Sequence, residues 1–177
     1  AGLKVLIDFH YSDFWADPKR QNCPKAWEGM DLEQKKEALY QFTKDSLNTL
    51  LDAGVDVEMV QIGNEINYGL AGEKLQPNIM QLLKKGSQAV REAVHYTNIE
   101  NNSEVYDRAE DLKNAKVDYD VFGLSFYTFW DGTYENMQRV AKTLRENYGT
   151  DVMIAETSYA YTSEDGDGHT WRSEERR

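Results

Sequence analysis

The sequence predicts an α/β fold: five parallel strands with intervening helices. Three observations carry that reading. Short apolar runs rich in Val and Ile alternate with helical stretches, and no hairpin signal joins them. The runs are apolar on both faces, as strands covered by helices are. Polar residues gather at the C-terminal end of every run: Asp8 and His10, Asn64 and Glu65, His95 and Asn98, Ser125 and Tyr127, Glu156 and Ser158.

Taken in order, Leu3 to Phe9 reads as the first strand. A long aromatic loop follows, with Tyr11, Phe14 and Trp15, and later Trp27, which is expected to pack. Asp31 and Gln34 stand at capping-box spacing and open a helix. Leu39, Phe42, Leu47, Leu50 and Leu51 give that helix its apolar face, and Gly54 suits the position just past its end. Val60 to Glu65 is the second strand with its polar end. Pro77 fits the first turn of a helix running to about Glu92, with Ile79, Leu82, Leu83, Ala89 and Val90 as its buried stripe. The third strand starts at about Ala93. Helix-to-strand loops usually take about 2–6 residues, so either residues are missing here or the helix ends early. Ser103 to Lys113 is a short helix and Val121 to Tyr127 the fourth strand. Thr133 caps a helix through Met137, Val140, Ala141, Leu144 and Tyr148, stopped by Gly149. Val152 to Thr157 is the fifth strand.

Polar groups from every strand end imply one shared floor. A doubly wound sheet places its ligand at a single switch point. A barrel gathers residues from many strands. The expectation is therefore a partial (β/α)8 TIM barrel, because a full one needs about 250 residues and this chain has 177. Five strands leave two open sheet edges, so the segment alone is expected to be unstable and inactive.

The net charge of −11 argues against nucleic acid or an anionic membrane as partner, since both need a basic patch. No stretch is long and apolar enough to span a bilayer. One cysteine, Cys23, excludes an internal disulfide. Four Trp and 11 Tyr suit either core packing or stacking on sugar rings.

Two strands each ending in Glu suggest a facing carboxylate pair, Glu65 and Glu156. Glycoside hydrolysis with retention needs such a pair about 5–5.5 Å apart, with one pKa raised to protonate the leaving oxygen. The bland alternative is a strand-end carboxylate paired with a lysine. His10 and His95 are by default hydrogen-bonded scaffold residues. Trp15 and Trp130 sit on strand-following loops, where sugar stacking competes with packing. Asp165-Gly166-Asp167-Gly168-His169 puts oxygen ligands on alternate residues, as a calcium loop does, although Asp-Gly runs are commonly plain turns. The next alternate position is Trp171, which cannot coordinate a metal.

Four blocks in this order resemble glycoside hydrolase family 53, the endo-β-1,4-galactanases acting on arabinogalactan I: Asp-Phe-His-Tyr-Ser-Asp-Phe-Trp-Ala-Asp-Pro at 8–18, Gln-Ile-Gly-Asn-Glu-Ile at 61–66, Phe-Gly-Leu-Ser-Phe-Tyr at 122–127, and Ala-Glu-Thr-Ser-Tyr at 155–159. The resemblance runs from residue 3 to about 169, which implies an incomplete catalytic barrel over residues 1–169 and an atypical charged tail at 170–177. It implies a retaining barrel enzyme of which this stretch covers strands three to seven, with Glu65 as acid/base and Glu156 as nucleophile. Asn64 would hold the sugar 2-hydroxyl and Tyr127 would orient Glu156. His10, Asp13, Trp15 and Trp130 would line the substrate cleft. No cofactor is implied for catalysis. A structural calcium at Asp165, Asp167 and His169 is, because some bacterial members carry one in a similar stretch. The implied partner is plant cell-wall galactan, met outside the cell or in the periplasm by a monomeric enzyme. Two rivals remain: a carbohydrate-binding barrel without turnover, and a β-mannanase or xylanase of the same clan.

Overall fold

The computed structural model describes residues 2–90, 93–96, 102–128 and 130–158. Five strands, β1 (Val5–Phe9), β2 (Val57–Ile62), β3 (Ala93–Tyr96), β4 (Val121–Ser125) and β5 (Asp151–Glu156), alternate with helices α1 (Leu32–Asp52), α2 (Gln76–Ala89), α3 (Asn102–Ala115) and α4 (Tyr134–Tyr148). The strands form one sheet in the order β1-β2-β3-β4-β5, and every neighbouring pair is parallel. Each helix packs against the next in sequence. A doubly wound sheet reverses its strand order part-way. Strictly sequential order with sequential helix packing is the wall of a barrel, and it brings every strand's C-terminal end to the same rim.

Local sequence accounts for the helix ends. The Asp31 carboxylate accepts from the Gln34 N–H at 2.9 Å, and the Gln34 side chain accepts from the Asp31 N–H at 3.0 Å. This is the expected capping box, and such a cap contributes about 1 kcal/mol. Thr133 caps α4 in the same manner, accepting from the Asn136 N–H at 3.2 Å. Gly149 closes α4 in the left-handed region at φ 69°, where a side chain would be strained. Helix α2 ends at Ala89, with Val90 already extended, short of the expected end at about Glu92.

The core lies between sheet and helices. Leu39, Ile62, Ile79, Leu82, Leu83 and Phe122 are fully buried. Gly86 allows the close approach of α2 to the sheet: a Cβ there would come 2.5 Å from Ile62 Cδ1. The apolar face expected for α1 needs correction. Its buried residues are Lys35, Leu39, Thr43 and Leu47, whereas Phe42 and Leu51 are about half exposed. Phe42 instead meets the loop after β1, edge-on to Phe9, Tyr11 and Trp27. The buried Tyr11 hydroxyl lies 2.7 Å from Thr43 Oγ1. Trp27 packs as expected, and these rings seat the long loop on α1.

Strand lengths also differ from expectation. β2 stops at Ile62 and β4 at Ser125, so Glu65 and Tyr127 stand on the turns beyond their strands. The Gly63 N–H still reaches the Phe9 carbonyl at 2.9 Å. Gly63 and Glu65 then take φ 86° and 47°. The chain therefore turns sharply as soon as it leaves the sheet.

Candidate active site

Four of the five strand ends build the site. The loop after β2 carries Asn64 and Glu65, β4 and its turn carry Ser125, Tyr127 and Asp131, β5 ends on Glu156, and β1 delivers Asp8 and His10. Residues 125 and 127 point to the same side of β4 and its extension, because side chains alternate along extended chain. Ser125 Oγ lies 3.4 Å from Glu65 Oε1. The Tyr127 hydroxyl donates a short hydrogen bond to Glu156 Oε1. β4 and the turn after it thus touch both acids, and the acids face one space.

The carboxyls sit in unlike surroundings. Burial, and then the negative charge of Glu156, push Glu65 up to about 7; Asp17 and Asp131 add to the rise, and Ser125 opposes it. Glu156 is fixed by the Tyr127 hydroxyl. Burial and that bond to Glu156 push the Tyr127 phenol well above its ordinary range, so it remains a donor. Asp131 orders the turn: its carboxylate accepts from the Tyr127 N–H at 2.7 Å, while its own N–H reaches the Tyr127 carbonyl at 2.7 Å. The Trp130 ring stands edge-on to Tyr127 with centroids 5.4 Å apart. Trp130 is 49% exposed.

His10 is committed on both nitrogens. Nδ1 accepts from the Ala16 N–H at 2.9 Å, so the ring proton lies on Nε2, which is 3.2 Å from Asp8 Oδ2. The Trp15 ring rests on His10 at 4.7 Å between centroids, with 67% of the residue exposed. Burial raises the Asp8 pKa, and His10 and Gln61 temper that rise. Asp13 accepts from the Lys25 N–H at 2.7 Å and so braces its own loop. Asn64 is only 2% exposed. Its Nδ2 donates to the Ala16 carbonyl at 3.0 Å, and its Oδ1 accepts from Gln61 at 3.3 Å.

Of the expected site residues, Glu65, Glu156, Tyr127 and Trp130 form one cluster, and His10 and Trp15 form the wall beside it. Asn64 and Asp13 serve as loop braces in this state. The His95 side chain, Asn98, the calcium triad Asp165, Asp167 and His169, and the tail 170–177 lie outside the described residues. Among the described residues, no group of three or more His, Cys, Asp or Glu could hold a metal ion. Sequence reasoning placed Ser125 and Asp8 at the rim without giving them roles. It missed Asp131 altogether, for which an Asp-Gly pair directly after an exposed Trp is the only local signal.

A family model described as glycosyl hydrolase family 53 matches residues 1–177. The chain belongs to glycosyl hydrolase family 53. Within the family it is 52% identical over 175 residues to an endo-beta-1,4-galactanase of Bacillus subtilis, covering 95% of this chain and 41% of that protein. It is 36% identical over 183 residues to the arabinogalactan endo-beta-1,4-galactanase of Cellvibrio japonicus, covering 92% of this chain and 48% of that protein. The solved family 53 catalytic domain of Ignisphaera aggregans superposes with a TM-score of 0.85 at 35% identity, over 95% of this chain and 49% of that one. The chain thus spans about half the length of these family 53 relatives, and its five strands are part of their (β/α)8 barrel.

Proposed function

We propose that the full-length protein containing this chain is a retaining endo-β-1,4-galactanase that cleaves internal bonds of galactan and arabinogalactan I. One observation carries the reading: a glutamate raised to about 7 by burial and by a second glutamate, which is itself held by a tyrosine hydroxyl. A carboxyl that keeps its proton near neutral pH can protonate a leaving oxygen. A carboxylate oriented by a donor can attack the anomeric carbon from the opposite side. In the first step Glu156 forms the bond to the anomeric carbon as the glycosidic C–O bond breaks, and the Glu65 proton passes to the leaving oxygen. In the second, Glu65, now ionised, takes a proton from water as the water oxygen displaces Glu156.

The remaining roles follow from position. Trp15 and Trp130 are large exposed aromatics on the loops that follow β1 and β4, which supports stacking on galactose units. Asn64, directly before Glu65, is the residue that would hold the sugar 2-hydroxyl. His10 and Asp8 hold the Trp15 wall, and Asp13 braces the loop behind it. Likeness to galactanases supports a plant cell-wall polysaccharide as substrate, and a polymer of that size supports action outside the cytoplasm. A calcium ion held by Asp165, Asp167 and His169 would act structurally. Calcium calorimetry on the full-length protein should show one saturable site, lost in Asp167→Ala; an unchanged isotherm in that variant would place any calcium elsewhere.

The function is tested by incubating the full-length protein with an activated 2-deoxy-2-fluorogalactoside, then digesting it for mass spectrometry. The label is expected on the peptide containing Glu156. Label on the Glu65 peptide would reverse the two roles, and no labelling would remove the retaining mechanism. A polysaccharide panel separates galactan from mannan and xylan, and turnover on galactan would exclude a binding-only barrel.

A further inference from the structure

We infer that Gln21 is a positioning residue for the Glu65 carboxyl, acting as an amide clamp on the backbone that carries it. Gln21 follows a tight turn in the loop after β1, in which Asp17 and Arg20 exchange backbone hydrogen bonds of 3.3 and 3.0 Å. Its side chain is buried. Nε2 donates to three carbonyls: Asn64 at 2.8 Å, Asp17 at 3.1 Å and Glu65 at 3.3 Å. Three carbonyl acceptors settle which end of the amide carries hydrogen, since an oxygen there would face only lone pairs. Two hydrogens meet three acceptors, so one hydrogen is shared between two carbonyls.

The clamped segment is the one most in need of support. Glu65 holds φ 47°, a region where a non-glycine residue persists only when its surroundings fix it. Chain relaxation there would swing the carboxyl away from Ser125 and Glu156. The surroundings also fit around the clamp. A Cβ on Gly69 would come 2.7 Å from Gln21 Cβ, and the Gly72 N–H donates to the Gln21 carbonyl at 2.9 Å. The loop beyond Glu65 thus folds back to hold the residue that holds Glu65.

This inference rests on Glu65 being the acid/base, and its test separates the two claims. In the full-length protein, kcat/KM is measured for Gln21→Met and for Glu65→Ala on galactan, whose leaving group needs a proton, and on a dinitrophenyl galactoside, whose leaving group does not. Misplacing a reacting group by about 1 Å can cost about 100-fold. Gln21→Met is expected to lose roughly 10- to 100-fold on galactan while staying within about threefold on the activated substrate, a weaker copy of Glu65→Ala. Equal losses on both substrates, or no loss on galactan, would overturn the clamp. If Glu65→Ala itself shows no dependence on the leaving group, the acid/base assignment fails and takes the inference with it. Should Gln21→Met not fold, Gly69→Ala supplies the same test by displacing Gln21 without removing it. It must show the same split between substrates, and an even loss would count against the clamp.

Discussion

The two glutamates of the site are held in opposite ways. Glu65 lies three residues past its strand, on a left-handed turn, half-buried and repelled by three neighbouring acids. Glu156 is the last residue of β5, which pairs only with β4 among the described residues, and the hydroxyl of Tyr127 fixes it. One carboxyl is raised by burial and by neighbouring charge; the other is held in place by a donor on the adjoining strand. The proposed proton-donor and nucleophile roles are thus divided between two glutamates in unlike surroundings on one rim.

The sharpest way to break that contrast is to remove each acid in turn. Glu156→Ala is expected to cost at least about 10⁴-fold in turnover on every substrate, as loss of a nucleophile does. Azide should restore turnover of an activated galactoside with inverted product. Glu65→Ala is expected to cost about 10²–10⁴-fold on galactan and much less on an activated leaving group, and its azide product should be retained. Swapped stereochemistry, read by NMR of the glycosyl azides, would exchange the roles.

A smaller effect is expected where Glu156 is merely released from its donor. Hydrogen bonds to charged groups are worth about 1.5–3 kcal/mol, so Tyr127→Phe should lower kcat roughly 10- to 100-fold with KM nearly unchanged. An unaffected kcat would show that Glu156 needs no such support.

The smallest expected effect concerns stability. Glu65 has a folded pKa above its unfolded value. The protonated form therefore favours folding: that contribution is complete below the ordinary glutamate range and is lost as pH rises through about 7. Glu65→Gln, neutral throughout, should melt with the parent at about pH 4 and above it at about pH 8. A lower melting temperature at both pH values would mean that the carboxyl is not strained by its surroundings.

Much of this was legible in the chain. Alternation of apolar runs with capped helices gave five strands and four helices, because caps such as Asp31 with Gln34 act within one turn. Strand-end polarity led to Glu65 and Glu156, because a shared rim needs polar residues only at that end. The unread parts depend on contacts distant in sequence. The exposure of Phe42 follows from a loop that brings its own aromatics to α1. Gly86 is explained only by the approach of Ile62. Gln21 carries no local mark, since an amide in a loop reveals nothing until residues 64 and 65 are brought to it. The ties of Asn64 to the Ala16 carbonyl and to Gln61 were equally unmarked in the sequence.

The most direct test of the central claim is a carbon-13 carboxyl NMR titration of Glu65 in the full-length protein, repeated in Glu156→Gln. The account expects a midpoint near 7 in the parent and a clearly lower one once the repelling charge is gone, with burial keeping it above the ordinary glutamate range. A parent midpoint in the ordinary glutamate range, or one that does not move in Glu156→Gln, would contradict it.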